Sequence, residues 1–383
     1  MPRRAFLFTC LILLSLGTAP LFAADTAAIR LGAILAITGP AANLGLPESR
    51  TLQMLTDNAN AAGGINGRKI ELIIRDSQGN AEKAISFAKQ LIEEEHVLAI
   101  LGPSTSGESM KLKSLCDESQ TILVSCAAAE TIVNPVAKWV FKTPQMDSFA
   151  AQMIYTTMKK LGITTIGVVV TNTGFGQGGK AQLEKLAPAN GITIAISEVY
   201  DSTATDLGGV LTKVRAQNVQ AVVNWSVEPA QSLVAKNMRQ MGFDVPLFQS
   251  HGFGNINYVK AAGKAADGII FPAGRLLVAE GLPDGHPQKQ LLMSYKKAYE
   301  AKFKDEVSTF GGHAYDAFLV ITEAVKKAGS VDKDRVRDAL ESLKNVAGTA
   351  GMFNFSPTDH NGLTLDSFEM LTVKDGEFAL YSR

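Results

Sequence analysis

The chain has little of what would let a small fold be stapled together or a charged partner be held. It has 3 cysteines in 383 residues, too few for a disulfide framework. Neither sign of charge is in excess: 37 Lys and Arg face 37 Asp and Glu. The basic surplus of a nucleic-acid-binding face is therefore missing. Charged residues make up 19% and hydrophobic residues 46%, which excludes a disordered chain. Its 5 histidines show neither H-x-x-E-H nor H-E-x-x-H spacing, so no metal is expected. No low-complexity tract or short repeat is present. Beyond the first two dozen residues no stretch is long and apolar enough to span a bilayer as a helix. What remains is a length that suits two α/β domains at about 150 residues each.

The amino terminus has a different character. Arg3 and Arg4 precede an apolar stretch from Ala5 to Leu16, followed by Gly17, Pro20 and the small pair Ala23 and Ala24. A basic start, a short apolar core and small residues at its end make a signal peptide over residues 1–24, cleaved near Ala23 or Ala24. Cys10 lies inside the apolar core, not after a small residue at its end, which argues against a lipoprotein. Losing Arg3 and Arg4 leaves 35 basic residues against 37 acidic ones, so the exported chain stays close to neutral.

From Ile29 onward, short apolar runs bounded by turn residues alternate with helical patterns. The runs at 29–35, 69–75, 97–102 and 121–125 predict strands, with helices between them at 48–61, 80–95 and 107–119. After Pro144 a second series predicts strands at 164–170, 192–200, 219–225 and near Leu247. Its helices fall at 148–161, 175–188, 206–216 and 229–241. Such alternation predicts parallel sheets with helices on both faces. Three helical patterns at 287–304, 312–328 and 332–343 bring no strands of their own and must cover an existing sheet. The end predicts strands joined by an Asp375-Gly376 hairpin.

Several segments could carry chemistry. Gly174, Gly176 and Gly179 form a G-x-G-x-x-G after a strand and at a helix start, the pattern of a dinucleotide site. Its mid-chain position and the Asn172-Thr173 insert favour a plain glycine turn that presents Phe175, and no cofactor is expected. The segment 101–109, LGPSTSGES, sets Ser104, Thr105 and Ser106 before a helix, where hydroxyls and free N–H groups can hold a carboxylate or serve only as a cap. VSCAAAE (124–130) runs off a strand into small residues, which suits either backbone approach to a ligand or tight packing. His251 and His313 could each reach a cleft. Cys116 and Cys126 lie ten residues apart, in a predicted helix and at a strand end. Export permits a bridge between them, but the geometry disfavours it.

In their order and spacing, LGAILAITGPAANLG (31–45), NAAGGINGRKIELIIRDSQ (60–78), AILGPSTSG (99–107), KWVFKTPQ (138–145), GVVVTNTGFGQG (167–178) and GGHAYDAF (311–318) resemble the periplasmic substrate-binding proteins of branched-chain amino-acid-type ABC transporters, the leucine/isoleucine/valine-binding class. The resemblance spans the mature chain. It implies an α/β fold of two Rossmann-like lobes with parallel central sheets joined by three hinge crossovers, the type I periplasmic binding fold. The first lobe would comprise 25–143 and 273–348, and the second 144–272 and 349–383. It further implies a monomeric periplasmic receptor, not an enzyme, that delivers a small ligand to a membrane permease.

By the same resemblance, Ser106, with Thr105 beside it, and the backbone of Ala127, Ala128 and Ala129 would hold a carboxylate. Phe175 and Trp225 would wall the second lobe, Leu44 would touch the ligand from the first, and Tyr315 would approach from near the hinge. Amino-acid binders of the class hold the ammonium with a threonine and an acidic residue, where this chain has Ala129 and His251. A buried ammonium without an anion is costly. The departure therefore implies an amine-free carboxylate such as an aromatic acid or a branched 2-oxo acid. Glu130 could replace the missing acid, which keeps a branched-chain or other apolar amino acid as the alternative. A secreted α/β enzyme and a chemosensory receptor are further alternatives.

Overall fold

A computed structural model describes residues 27–382. The expected signal peptide lies outside the described residues. The first sheet has the order β2-β1-β3-β4-β5, with β1 at Ile29–Leu35, β2 at Ile70–Asp76, β3 at Ala99–Leu101, β4 at Ile122–Ser125 and β5 at Val140–Lys142. All its pairings are parallel. Helices α1 (Ala42–Ala61), α2 (Ala81–Glu93) and α3 (Ser106–Glu118) connect these strands.

The chain then builds a second sheet. Helix α4 (Asp147–Lys160) leads to β6 (Thr165–Thr171), α5 (Gly174–Leu186), β7 (Thr193–Tyr200), α6 (Gly208–Arg215) and β8 (Ala221–Trp225). Helix α7 (Gln231–Gln240), β9 (Leu247–Gln249), α8 (Ile256–Ala262) and β10 (Ile270–Ala273) complete the series. After β10 the chain returns to the first sheet as α9 (Lys289–Phe303), α10 (Thr309–Ala328) and α11 (Lys333–Glu341). A two-stranded ribbon, β11 (Val346–Ala347) with β12 (Met352–Phe353), leads to β13 (Glu369–Lys374) and β14 (Glu377–Leu380). These last strands join the second sheet antiparallel, giving the order β14-β13-β10-β9-β8-β6-β7. The hairpin turns at Asp375 and Gly376, whose φ values of 53° and 81° are those the tight turn needs.

The packing explains why the strandless helices return. Ala314, Ala317 and Ile321 of α10 pack with Leu52 of α1 against Leu31 and Val124 on one face of the first sheet. Leu91 of α2 and Leu112 of α3 pack with Ile34 and Ile100 on the other. Both faces are thus covered, as a parallel sheet requires. Cys126 belongs to the first of these clusters and Cys116 to the second, on opposite faces, and both are free thiols. Burial pushes the Cys116 thiol up to about 12, so it is inert as a nucleophile.

Two features sharpen the expected layout. Helix α1 begins at Ala42, six residues before its expected start, and carries Pro47 inside it. Proline cannot donate to the carbonyl four residues back. That carbonyl, Asn43 O, instead accepts Asn255 Nδ2 from the second lobe at 3.1 Å. The third crossover also lies later than residue 349. Phe353, Phe355 and Leu363 are buried in the first lobe's core, and Phe368 is the first residue after them in the second lobe's cluster. We therefore draw the final second-lobe segment from Phe368 onward. The crossovers are tied to one another: Gln145 Nε2 donates to Ala350 O at 2.9 Å, and Asn361 Nδ2 to Pro144 O at 2.7 Å.

Candidate functional site

Open α/β sheets bind ligands outside the carboxyl ends of their strands. The carboxyl ends of β3, β4, β8 and β9 converge on a cavity of about 380 Å³ between the lobes. A larger hollow of about 530 Å³ includes Leu247 and Ile270, the amino-terminal residues of β9 and β10, and so lies at the opposite edge of the second sheet.

The first-lobe wall is a turn that feeds a helix. Gly102 adopts φ 92° there, and an added Cβ would sit 2.3 Å from Ile34 O, so the turn requires glycine. Thr105 is the N-cap of α3, accepting Glu108 N at 3.3 Å. That leaves the first N–H groups of the helix without intrahelical partners, beside the Ser106 hydroxyl. Ser106 Oγ accepts Ala129 N at 3.2 Å and keeps its own proton to donate. Beneath the loop, Ser104 donates to the Glu48 carboxyl and Thr105 Oγ1 to Glu108 Oε2. Burial pushes Glu48 well up and also raises Glu108. Raising a carboxyl disfavours its charged form, which weakens its repulsion of an anion at the loop.

The second-lobe wall is aromatic. Phe175 stands in the first turn of α5, and its ring lies 5.3 Å from His251 and 5.8 Å from Trp225. The three glycines of the G-x-G-x-x-G pattern serve packing. A Cβ at Gly176 would lie 2.1 Å from Thr171 O, and one at Gly179 would lie 2.2 Å from the Trp225 ring. Gly174 touches the other lobe: its Cβ would meet Met110 Cε at 2.8 Å and Gly107 N at 3.0 Å. The lobes are therefore in contact beside the cavity, with Leu44 of α1 packed into the second lobe's cluster.

Of the residues singled out in the sequence, Leu44, Thr105, Ser106, Ala127, Ala128, Phe175 and His251 all line the cavity, as does His313. Three are placed elsewhere. Ala129 is fully buried behind Ser106. Trp225 is fully buried against Gly179 and supports the wall from behind. Tyr315 faces α9, its ring 4.9 Å from Tyr295, because it lies two residues around the helix from His313. Phe310 and His313, three apart on α10, occupy the cavity side instead. Glu130 does not line the cavity; its Oε1 accepts Asn134 Nδ2 at 3.3 Å.

Two acidic residues escaped the sequence reading. Glu228 lines the cavity from the loop after β8, its Oε2 accepting Ser226 Oγ at 2.8 Å and Val227 N at 3.2 Å. An acid three residues past the carboxyl end of a strand was the available signal. Asp147 opens α4, fully buried, with Oδ1 3.5 Å from His251 Nε2. Burial pushes its carboxyl up to about 8, against the pull of Lys142. Lys142 Nζ spends its three protons on the carbonyls of Ala128, Pro144 and Gln145, at 2.7, 3.0 and 3.0 Å, tying the ligand-side loop to the first crossover. Burial, and then the charge of Lys142, pushes His251 well below its usual value and His313 down to about 3. Both imidazoles are neutral at physiological pH, so the 3.5 Å approach of His251 to Asp147 is not an ion pair.

Two lobes closing on a cavity at the carboxyl ends of their sheets define a clamp-like ligand receptor. The chain belongs to the periplasmic binding protein family, which it matches over residues 28–377, and is of the branched-chain amino-acid ABC transporter type. It is 26% identical over 325 residues to the leucine-, isoleucine-, valine-, threonine- and alanine-binding protein of Pseudomonas aeruginosa, covering 84% of this chain and 83% of that one. An extracellular ligand-binding receptor of Rhodopseudomonas palustris HaA2 superposes with TM-score 0.87 at 28% identity, over 92% of this chain and 99% of that one. The isoleucine complex of a branched-chain amino acid transporter substrate-binding protein from Streptococcus pneumoniae gives TM-score 0.80 at 25% identity, over 92% and 97%. These relatives are binding proteins, and the family is periplasmic. Among the described residues no helix is long and apolar enough to cross a membrane.

Proposed function

We propose that the protein is the monomeric periplasmic receptor of an ABC importer, performs no chemistry, and binds a small amino acid between its lobes. The observation that carries this reading is the pairing of opposite walls. Ser106 and the α3 amino terminus offer donors to a carboxylate, while Glu228 offers an anion to an ammonium group from the facing lobe. The amino acids named for its relatives support the same ligand class. Glu228 supplies the second-lobe acid whose apparent loss at His251 had favoured an amine-free ligand. The amine-free carboxylate, an aromatic acid or a 2-oxo acid, stands as the second reading, supported by the neutral His251 and the Phe175 and Phe310 rings.

A thermal-shift screen separates the two, since a ligand stabilises by RT ln(1 + [L]/Kd). Leucine, valine and threonine should raise the melting temperature more than 4-methylpentanoate, 3-methylbutanoate, 3-hydroxybutanoate and benzoate. The reverse order would replace the first reading with the second.

A further inference from the structure

Glu228 is held from behind by a peptide tied at both ends. Ser226 Oγ and Val227 N donate to its Oε2, at 2.8 and 3.2 Å. The other oxygen, Oε1, has no partner among the described residues and, unlike the oxygens of Asp147, is not sealed off by burial. The direction in which the side chain leaves the backbone is set by the peptide plane between Val227 and Glu228. The N–H of that plane donates to Ser226 Oγ at 3.1 Å, and its carbonyl, Val227 O, accepts the Tyr258 hydroxyl. Tyr258 is buried on α8, its ring stacked 6.1 Å from Phe253. The start of the same helix is gripped by the other lobe. Asn255 caps α8, its Oδ1 accepting Asn257 N at 2.9 Å, while its Nδ2 donates to Asn43 O of α1 at 3.1 Å. Gly254 O accepts Thr309 N and Oγ1 of α10 at 3.0 and 3.2 Å. Tyr258 N donates to Asn255 O at 3.1 Å, so one helical turn joins the grip to the phenol.

We propose that Tyr258 is a positioning residue for ammonium recognition: it aims Glu228 through the Val227 carbonyl, and the first lobe's grip on the start of α8 completes that aim only when the lobes are closed. The inference rests on the amino-acid reading above and adds how its acid is set. A buried phenol needs a hydrogen-bond partner, and a ring that only filled space would leave Val227 O without its donor. With the peptide tied at both ends, Glu228 keeps one carboxylate oxygen on the protein and one for the ligand, so little side-chain ordering is left to be done on binding. Opening the lobes breaks the bonds to Asn43 and Thr309 and frees the turn that carries Tyr258. A ligand with an amine therefore gains from closure through Glu228, whereas a ligand that lacks one does not.

Calorimetric titration of wild type, Glu228→Gln, Tyr258→Phe and Asn255→Asp with threonine and with 3-hydroxybutanoate tests this. Tyr258→Phe keeps the ring and removes the hydroxyl, while Asn255→Asp keeps the capping oxygen and removes the donor to Asn43. Each should weaken threonine binding roughly three- to tenfold and 3-hydroxybutanoate binding little, narrowing the preference for threonine. Far-ultraviolet circular dichroism confirms that each variant is folded, and a loss of fold stability alone would not move that ratio. A wild-type ratio retained in folded Tyr258→Phe, or an equal loss for both ligands, would overturn the positioning role and leave the amino-acid reading to stand on Glu228→Gln. A ratio that narrows in Tyr258→Phe but not in Asn255→Asp would overturn the link to lobe closure. If wild type binds the two ligands alike, the amino-acid reading falls and this inference falls with it.

Discussion

The two walls of the cavity come from lobes of related topology and carry opposite kinds of chemistry. In the first lobe the cavity wall is a turn, two hydroxyls and the start of α3, beside the Glu48 and Glu108 carboxyls, which burial pushes up. In the second lobe it is Phe175, a neutral His251 and Glu228, which is held by Ser226 and the Val227 amide. The first wall suits an invariant feature of its ligands, an anion met largely by backbone. The second is built from side chains that a few substitutions would change. The comparison suggests that the first lobe fixes what every ligand shares and the second decides which ligand is taken.

The largest expected effect falls on the link between the walls. Lys142→Met leaves the Ala128, Pro144 and Gln145 carbonyls without their donor and deprives buried Asp147 of its cation. Breaking such a buried arrangement should cost about 3–5 kcal/mol, read by urea denaturation. A loss under about 1 kcal/mol would show that Lys142 is not the tie between loop and crossover. Next comes the first wall: Ser106→Ala removes one donor to the carboxylate and should weaken every carboxylate ligand roughly tenfold by calorimetry. If one ligand class alone is affected, the division of labour between the walls fails.

A smaller effect should come from the contact between the lobes. A Cβ at Gly174 would crowd Met110 and Gly107 N across the interface, whereas one at Gly179 would crowd Trp225 within the second lobe. Gly174→Ala should lower apparent affinity roughly three- to tenfold by reducing the closed population, with little change in melting temperature. Gly179→Ala should instead destabilise the fold by about 1–3 kcal/mol through overpacking. The smallest expected change is none at all. His251 and His313 are held below their usual values, so their imidazole NMR resonances should not titrate between pH 5 and 8. Since both folded values lie below the unfolded value of about 6.5, stability is lost as pH falls below that value, for His313 down to about 3.

Legibility in the sequence followed the same division. Strand β1 at 29–35 and the Thr105 cap could be read directly, because apolar runs and hydroxyl caps are local signals. Strands β5 and β10, three and four residues long, were not anticipated. On the first wall, Thr105, Ser106, Ala127 and Ala128 fall where the motifs put them. On the second, Phe175 and His251 do, but Trp225 turns inward and Glu228 takes a place that no motif marked. Tyr315 faces α9 because it lies two residues around α10 from His313, a direction that the family match alone does not give. Backbone anchors leave a local trace, whereas the direction of a side chain depends on packing partners far along the chain.

The central claim is that Ser106 and Glu228 divide the two ends of an amino acid between the lobes. Its most direct test is calorimetric titration of the wild type and Glu228→Gln with threonine and with 3-hydroxybutanoate, which lacks the amine. The account predicts that wild type binds threonine at least tenfold more tightly. Glu228→Gln should lose roughly 10- to 100-fold toward threonine, the worth of a charge-assisted hydrogen bond, and little toward 3-hydroxybutanoate. Equal affinity of the wild type for the two ligands, or an equal loss for both in Glu228→Gln, would contradict it.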